Sequence, residues 1–299
     1  MSIFPIVTVG TLSALRAVYV WVRFRGILLP DTREYTQGGF GFYPSPLGRV
    51  IGMGGETVLA AINMVACFAF ASASLLIARR EGKNMWIAGV IVLLAPAAWW
   101  SPYASVDCTA AALLLIAYLC RESGRVVEAV ALAIMACLVH LLIVPILLVW
   151  ALYELGRREP AAAILLFVLS ISSGLALLAT PYGGLMTSDP SNTSLGIPAF
   201  LGLVMFGGPF VLIYGAVKAH NSPRLSISRR GGNAPLMVPA TVCIVGGALA
   251  CAMQRHFNMR YGLPAVGFVA PLLAPNVGWV SAHLRAARRE RRGTVAEAS

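Results

Sequence analysis

The chain of 299 residues is 58% hydrophobic and only 12% charged, with a mean hydropathy of +0.78. Soluble domains carry about 25% charged residues, and a water-soluble fold has no interior able to hide this much apolar surface. The formal charge of +11 sits in short basic clusters between apolar runs rather than in one patch, which argues against nucleic acid as partner and makes the charge a signal of membrane orientation.

Taken in order, hydropathy predicts ten membrane spans near 3–22, 57–78, 85–102, 104–120, 126–140, 141–155, 161–179, 197–217, 235–253 and 263–282. Helices are expected because lipid cannot satisfy open backbone groups. A β-barrel would need segments of alternating polarity, whereas Ala110–Ala117 is apolar on every side. The expected fold is therefore all-α and integral to the membrane: one polytopic domain over 1–299, without a separate soluble domain. The first run lacks a charged leader and a small-residue cleavage site, so it reads as a retained span. All six cysteines fall in or beside apolar runs with no CxxC pair, which indicates packing rather than a disulfide framework or a zinc site.

The stretch 126–155 is too long for one crossing of about 20 residues, and the basic residues decide how it divides. As two helices meeting at His140, it places 16 of the 23 Lys and Arg on the side of Arg79, Arg121 and Arg157. Six (Arg23, Arg25, Arg33, Arg49, Arg255, Arg260) then lie opposite, and Arg16 lies inside the first span. The cytoplasmic excess of basic residues thus predicts a hairpin there, with both termini cytoplasmic. The Ala and Arg richness points to a GC-rich bacterial genome, and so to a bacterial inner (plasma) membrane. Trp21, Trp99, Trp100, Trp150, Tyr153 and Tyr182 fall near span ends, as interfacial anchors do.

The outer loop after span one packs Asp31, Arg33, Glu34 and Tyr35, then Tyr43-Pro44-Ser45-Pro46-Leu47-Gly48-Arg49. An acid at a membrane face can bind a metal or take a proton from a hydroxyl, and an arginine can hold phosphate through its planar fork. Solvated loop residues are the plainer alternative.

That loop, together with Trp99-Trp100-Ser101-Pro102 followed by Val106-Asp107, and Arg260-Tyr261-Gly262-Leu263-Pro264, resembles the polyprenyl-phosphate-sugar-dependent membrane glycosyltransferases of the GT-C fold. The resemblance covers spans one to four and the last two, in short degenerate motifs. It implies a GT-C-like bundle of about ten transmembrane helices that moves a sugar from a polyprenyl phosphate donor to an acceptor hydroxyl, on a glycan or protein, at the extracytoplasmic face of the cell envelope. By that resemblance Asp31 is the catalytic acid, and Arg260, Arg255, Arg33 and Arg49 hold the donor phosphate. Metal dependence is left open, and no nucleotide-binding motif is present. Many members carry an extracytoplasmic domain that this chain lacks, so acceptor recognition would rest on loops or a partner.

Four further residues stand out. Asp107, at the outer end of span four, reads as a helix cap or first-turn acid, or alternatively as a site residue. His140 reads as a polar turn residue or a base, and Tyr261 accompanies Arg260. Arg16 lies deep in span one, where charge is costly, and reads as cavity-lining. The rival functions are a lipid-linked polysaccharide polymerase, a transporter or flippase, and a noncatalytic membrane subunit.

Overall fold

The computed structural model describes residues 2–24, 47, 50–51, 53–100, 106–140, 143–156, 168, 196–221, 236–253 and 259–277. Among them the chain is helical, and its one extended pairing is an isolated bridge between Lys83 and Asn276. The helices are α1 (Phe4–Phe24), α2 (Gly55–Arg80), α3 (Met85–Leu94), α4 (Pro96–Trp100), α5 (Asp107–Glu122) and α6 (Val126–Val139). They continue with α7 (Val144–Gly156), α8 (Gly196–Met205), α9 (Gly208–Asn221), α10 (Met237–Met253), a 3-10 turn at Met259–Gly262 and α11 (Leu263–Leu273).

Two helices, α1 and α2, are long and apolar enough to cross a membrane, and the bent pair α8–α9 makes a third if counted as one span. Large apolar side chains such as Val7, Leu15, Tyr19, Phe200, Phe210 and Leu212 stand exposed on these helices. Such a surface is stable against lipid and costly against water. Together with the shorter apolar helices, it points to a membrane protein.

Three expected spans are interrupted, and each break has a local cause. Ala95 (φ −60°, ψ 127°) and Ala274 (φ −67°, ψ 134°) are both extended. Each precedes a proline, whose ring drives the preceding residue out of the helical region. Span 85–102 therefore divides into α3 and α4, and the last span stops at Leu273. The 197–217 span bends by 54° at Phe206–Gly207, where Gly207 takes φ +105°.

Two helices end alike. At the end of α2, Lys83 N–H donates to Ala78 O and Gly82 N–H to Arg79 O. At the end of α5, Arg125 N–H donates to Cys120 O and Gly124 N–H to Arg121 O. Both are Schellman closures, with Gly82 and Gly124 in the left-handed region that the motif requires. Asn84 then opens α3 by accepting from Trp86 and Ile87 N–H.

Long-range contacts fix the direction of the helices. His140, at the end of α6, touches Asp107 at the start of α5, and Glu154, near the end of α7, pairs with Arg121 at the end of α5. Helices α6 and α7 therefore run in opposite directions between two levels, as the predicted hairpin requires. A single helix over 126–155 would carry Glu154 about 40 Å away from the level of Arg125. Helix α11 starts beside Arg260 and ends where Asn84 N–H donates to Pro275 O and Val277 N–H to Gly82 O. The bundle thus has an Asp107 end and an Arg121 end.

Arg16 is buried in α1, with Nη1 donating to Leu93 O at 2.9 Å, Nη2 donating to Ser13 Oγ at 3.3 Å, and the guanidinium 5.5 Å from the Trp99 ring centroid. The break before Pro96 leaves carbonyls at the end of α3 without helical donors, and the cation satisfies one of them. Arg16 thereby ties α1 to the α3–α4 break, which gives the buried charge the partners that its depth in the span requires.

Candidate functional site

At the Asp107 end, three residues from distant parts of the sequence converge. His140 Nε2 lies 2.9 Å from Asp107 Oδ1, and Arg260 Nη1 lies 3.3 Å from Asp107 Oδ2. All three side chains are largely covered: 7% exposed for Asp107 and His140, and 16% for Arg260. The Tyr261 ring stands edge-on to His140, with centroids 6.3 Å apart. These four residues line a cleft of about 270 Å³ with Ala110, Ile143, Ile146 and Pro264.

Each residue is placed by its local sequence. Asp107 is the first residue of α5, but the cap position is Val106 and no side chain caps the helix. The carboxylate meets His140 and Arg260, so of the two helix-end readings the cap gives way to the first-turn acid, where the positive end of the helix dipole also favours it. His140 ends α6 with an extended backbone (φ −150°, ψ 108°), which turns its ring out of the helix and onto Asp107. Arg260 is carried by the 3-10 turn that leads into α11, with Pro264 in the first helical turn, where its missing N–H costs nothing.

The turn is held by close approach. A Cβ on Gly262 would run into the Phe206 ring, and one on Gly247 of α10 would come within 2.8 Å of Tyr261 O. Glycine at these two positions lets the 259–262 turn lie flat on α10 beneath Phe206. Helix α4, which holds Trp99, packs on the same turn. Two of the stretches that carry the family resemblance are thus in contact through their described residues: the helix that ends at Trp100 packs on the 259–262 turn, and Asp107 pairs with Arg260.

Chemically, one carboxylate accepts from an imidazole and a guanidinium. Such an arrangement fixes the orientation of both: it sets the histidine tautomer and aims a delocalised cation into the cleft. A pre-oriented arginine suits an anionic, phosphate-like group. Among the described residues there is no group of three or more His, Cys, Asp or Glu that could hold a metal ion.

Asp31, Arg33, Glu34, Tyr35, Arg49 and Arg255 lie outside the described residues. Of the expected site residues, Asp107, His140, Arg260 and Tyr261 are brought together. A second polar cluster went unexpected. At the Arg121 end, Glu154, 1% exposed, accepts from Arg121 Nε and Nη2 and from Trp150 Nε1. Its signal was the Trp150/Glu154 spacing of four on one helix face, opposite an arginine placed at the same level by the hairpin.

No protein-family model, no curated protein and no solved structure matches this chain.

Proposed function

We propose that the protein is a membrane glycosyltransferase that moves a sugar from a polyprenyl phosphate donor to an acceptor hydroxyl at the Asp107 side of the membrane, taken as the extracytoplasmic face. The observation that carries this reading is the convergence of Asp107, His140 and Arg260 on one cleft. Arg260, aimed by Asp107, would stabilise the phosphate as its bond to the anomeric carbon breaks. Asp31, delivered by the first outer loop, would take the proton of the acceptor hydroxyl as the new glycosidic bond forms. The donor leaves as polyprenyl phosphate, and no nucleotide takes part.

A transporter would hold its polar groups midway between broken helices. Here the cluster lies where α5 begins, α6 ends and α11 is about to begin, which favours a site at one face. The test is incubation of the purified chain with a panel of radiolabelled polyprenyl phosphate sugars and crude envelope acceptors. Label passing from lipid to a glycan or protein is the expected result. Label that stays on the lipid with every donor would instead favour a transporter or a noncatalytic subunit.

A further inference from the structure

The charges of Asp107 and Arg260 cancel. The carboxylate lies 2.9 Å from His140 Nε2 and 3.3 Å from Arg260 Nη1, so with a neutral imidazole the cluster holds one negative and one positive charge. A matched pair of this kind fixes geometry but gives little net attraction to an anion entering the cleft. Burial sharpens the problem. Asp107 and His140 are almost wholly covered, and a charge brought among groups so poorly hydrated needs an opposite charge close by.

Among the described residues that line the cleft, His140 is the one able to supply it. Arg260 is charged already, Tyr261 titrates only toward an anion, and the remaining lining residues, from α5, α7 and α11, are apolar. Behind Asp107 on α5, Cys108 lies within electrostatic reach of Arg16 of α1, which is itself held by Leu93 O and Ser13 Oγ. His140 Nε2 must carry a hydrogen to donate to the carboxylate, so a second proton goes to Nδ1 and leaves the contact with Asp107 intact. Gain of that proton turns the cluster from neutral to singly positive.

We propose that the cleft takes its phosphate together with one proton, held on His140. The inference rests on the reading of this cleft as a phosphate site. Anion and proton then favour one another reciprocally. An anion beside the imidazole stabilises its charged form, so phosphate affinity is highest at low pH and is lost as pH rises through the range in which an imidazole gives up its proton. The same proton offsets the charge that appears when a phosphodiester donor, with one charge, leaves as a phosphomonoester with roughly two.

The probe is farnesyl methyl phosphate, a phosphodiester whose own charge is constant near neutral pH. It is titrated into the purified full-length chain in detergent from about pH 5 to about pH 8, and calorimetry in two buffers of unlike ionisation enthalpy counts the protons taken up. Uptake approaching one proton per probe bound is expected, with affinity falling by up to about tenfold per pH unit toward the alkaline end. His140→Gln keeps an N–H for Asp107 but takes up no charge, and should bind with the same affinity at every pH. His256→Gln, four residues before Arg260, should keep the pH dependence of the unaltered chain. Should His140→Gln fold poorly, the proton count on the unaltered chain decides. Affinity independent of pH without proton uptake, or a pH dependence that survives in His140→Gln or vanishes in His256→Gln, would overturn the inference and leave the phosphate reading standing. A probe that binds at no pH overturns both.

Discussion

Glu154 receives both prongs of the Arg121 guanidinium, Nε at 3.1 Å and Nη2 at 2.9 Å, although 33 residues separate them in sequence. With Trp150 Nε1 as a third donor at 3.1 Å, the carboxylate is well satisfied while almost wholly buried. The pair ties the end of α5 to the end of α7 without requiring α6 and α7 to pack tightly on each other.

Breaking such a pair leaves one buried charge unmatched, which costs far more than removing both partners. Glu154→Gln is therefore expected to destabilise the protein by about 3 kcal/mol, whereas Arg121→Met combined with Glu154→Leu recovers most of the loss. Thermal unfolding of the purified variants in one detergent measures both. A double variant no more stable than Glu154→Gln would show that the ion pair is not the source of the effect.

The two acids of the proposed site should differ in what they lose. Asp31→Asn is expected to insert, purify and bind donor normally while turnover falls by about 100-fold or more, the usual contribution of a proton-transfer group. Glu34→Gln, three residues further along the sequence, should lose much less. Asp107→Asn removes the charge that aims Arg260, so its main effect should be weaker donor binding, matched by Arg260→Ala and only partly corrected in Arg260→Lys, which lacks the planar fork. Donor titration beside single-turnover rates separates the cases. Wild-type turnover in Asp31→Asn with a dead Asp107→Asn would move the catalytic carboxylate to Asp107.

Gly262 allows a third test, because its Cβ would occupy the place of the Phe206 ring. Gly262→Ala should destabilise by about 1–3 kcal/mol through overpacking and displace the turn that carries Arg260. Adding Phe206→Leu, which removes the ring, should restore stability and donor binding together. If donor binding stays normal in Gly262→Ala, the turn does not set the position of Arg260.

Membrane orientation is open to direct measurement. Reporter fusions after Lys83, Arg158 and Arg292 are expected in the cytoplasm, and fusions near Gly38 and Asn192 outside. An exterior signal after Arg158 would contradict the α6–α7 reversal, and a uniformly inverted pattern would place the Asp107 end in the cytoplasm.

The helical class and the two long spans were legible because a bilayer-length apolar run is a property of composition alone. The turn-back at His140 was also legible, since the basic residues on either side respond to the same electrostatic asymmetry. The breaks at Ala95 and Ala274 were missed because hydropathy averages over the prolines that cause them. The partners of Asp107 were not readable from spacing: His140 and Arg260 reach it through tertiary packing, and only the short motif around Arg260 pointed toward that place. Glu154 was hidden for the opposite reason. A lone acid near a span end resembles any loop charge until its partner on another helix is known.

The closely spaced polar ends of α5 bear on how the protein sits in its bilayer. From Asp107 to Arg121 the helix rises only about 21 Å, well short of a hydrocarbon core near 30 Å. The mismatch is met by local thinning or by polar ends drawn below the surface on at least one side. The proposed sugar transfer should accordingly depend on acyl-chain length, proceeding best in short-chain bilayers whose thickness matches the distance between the two polar clusters.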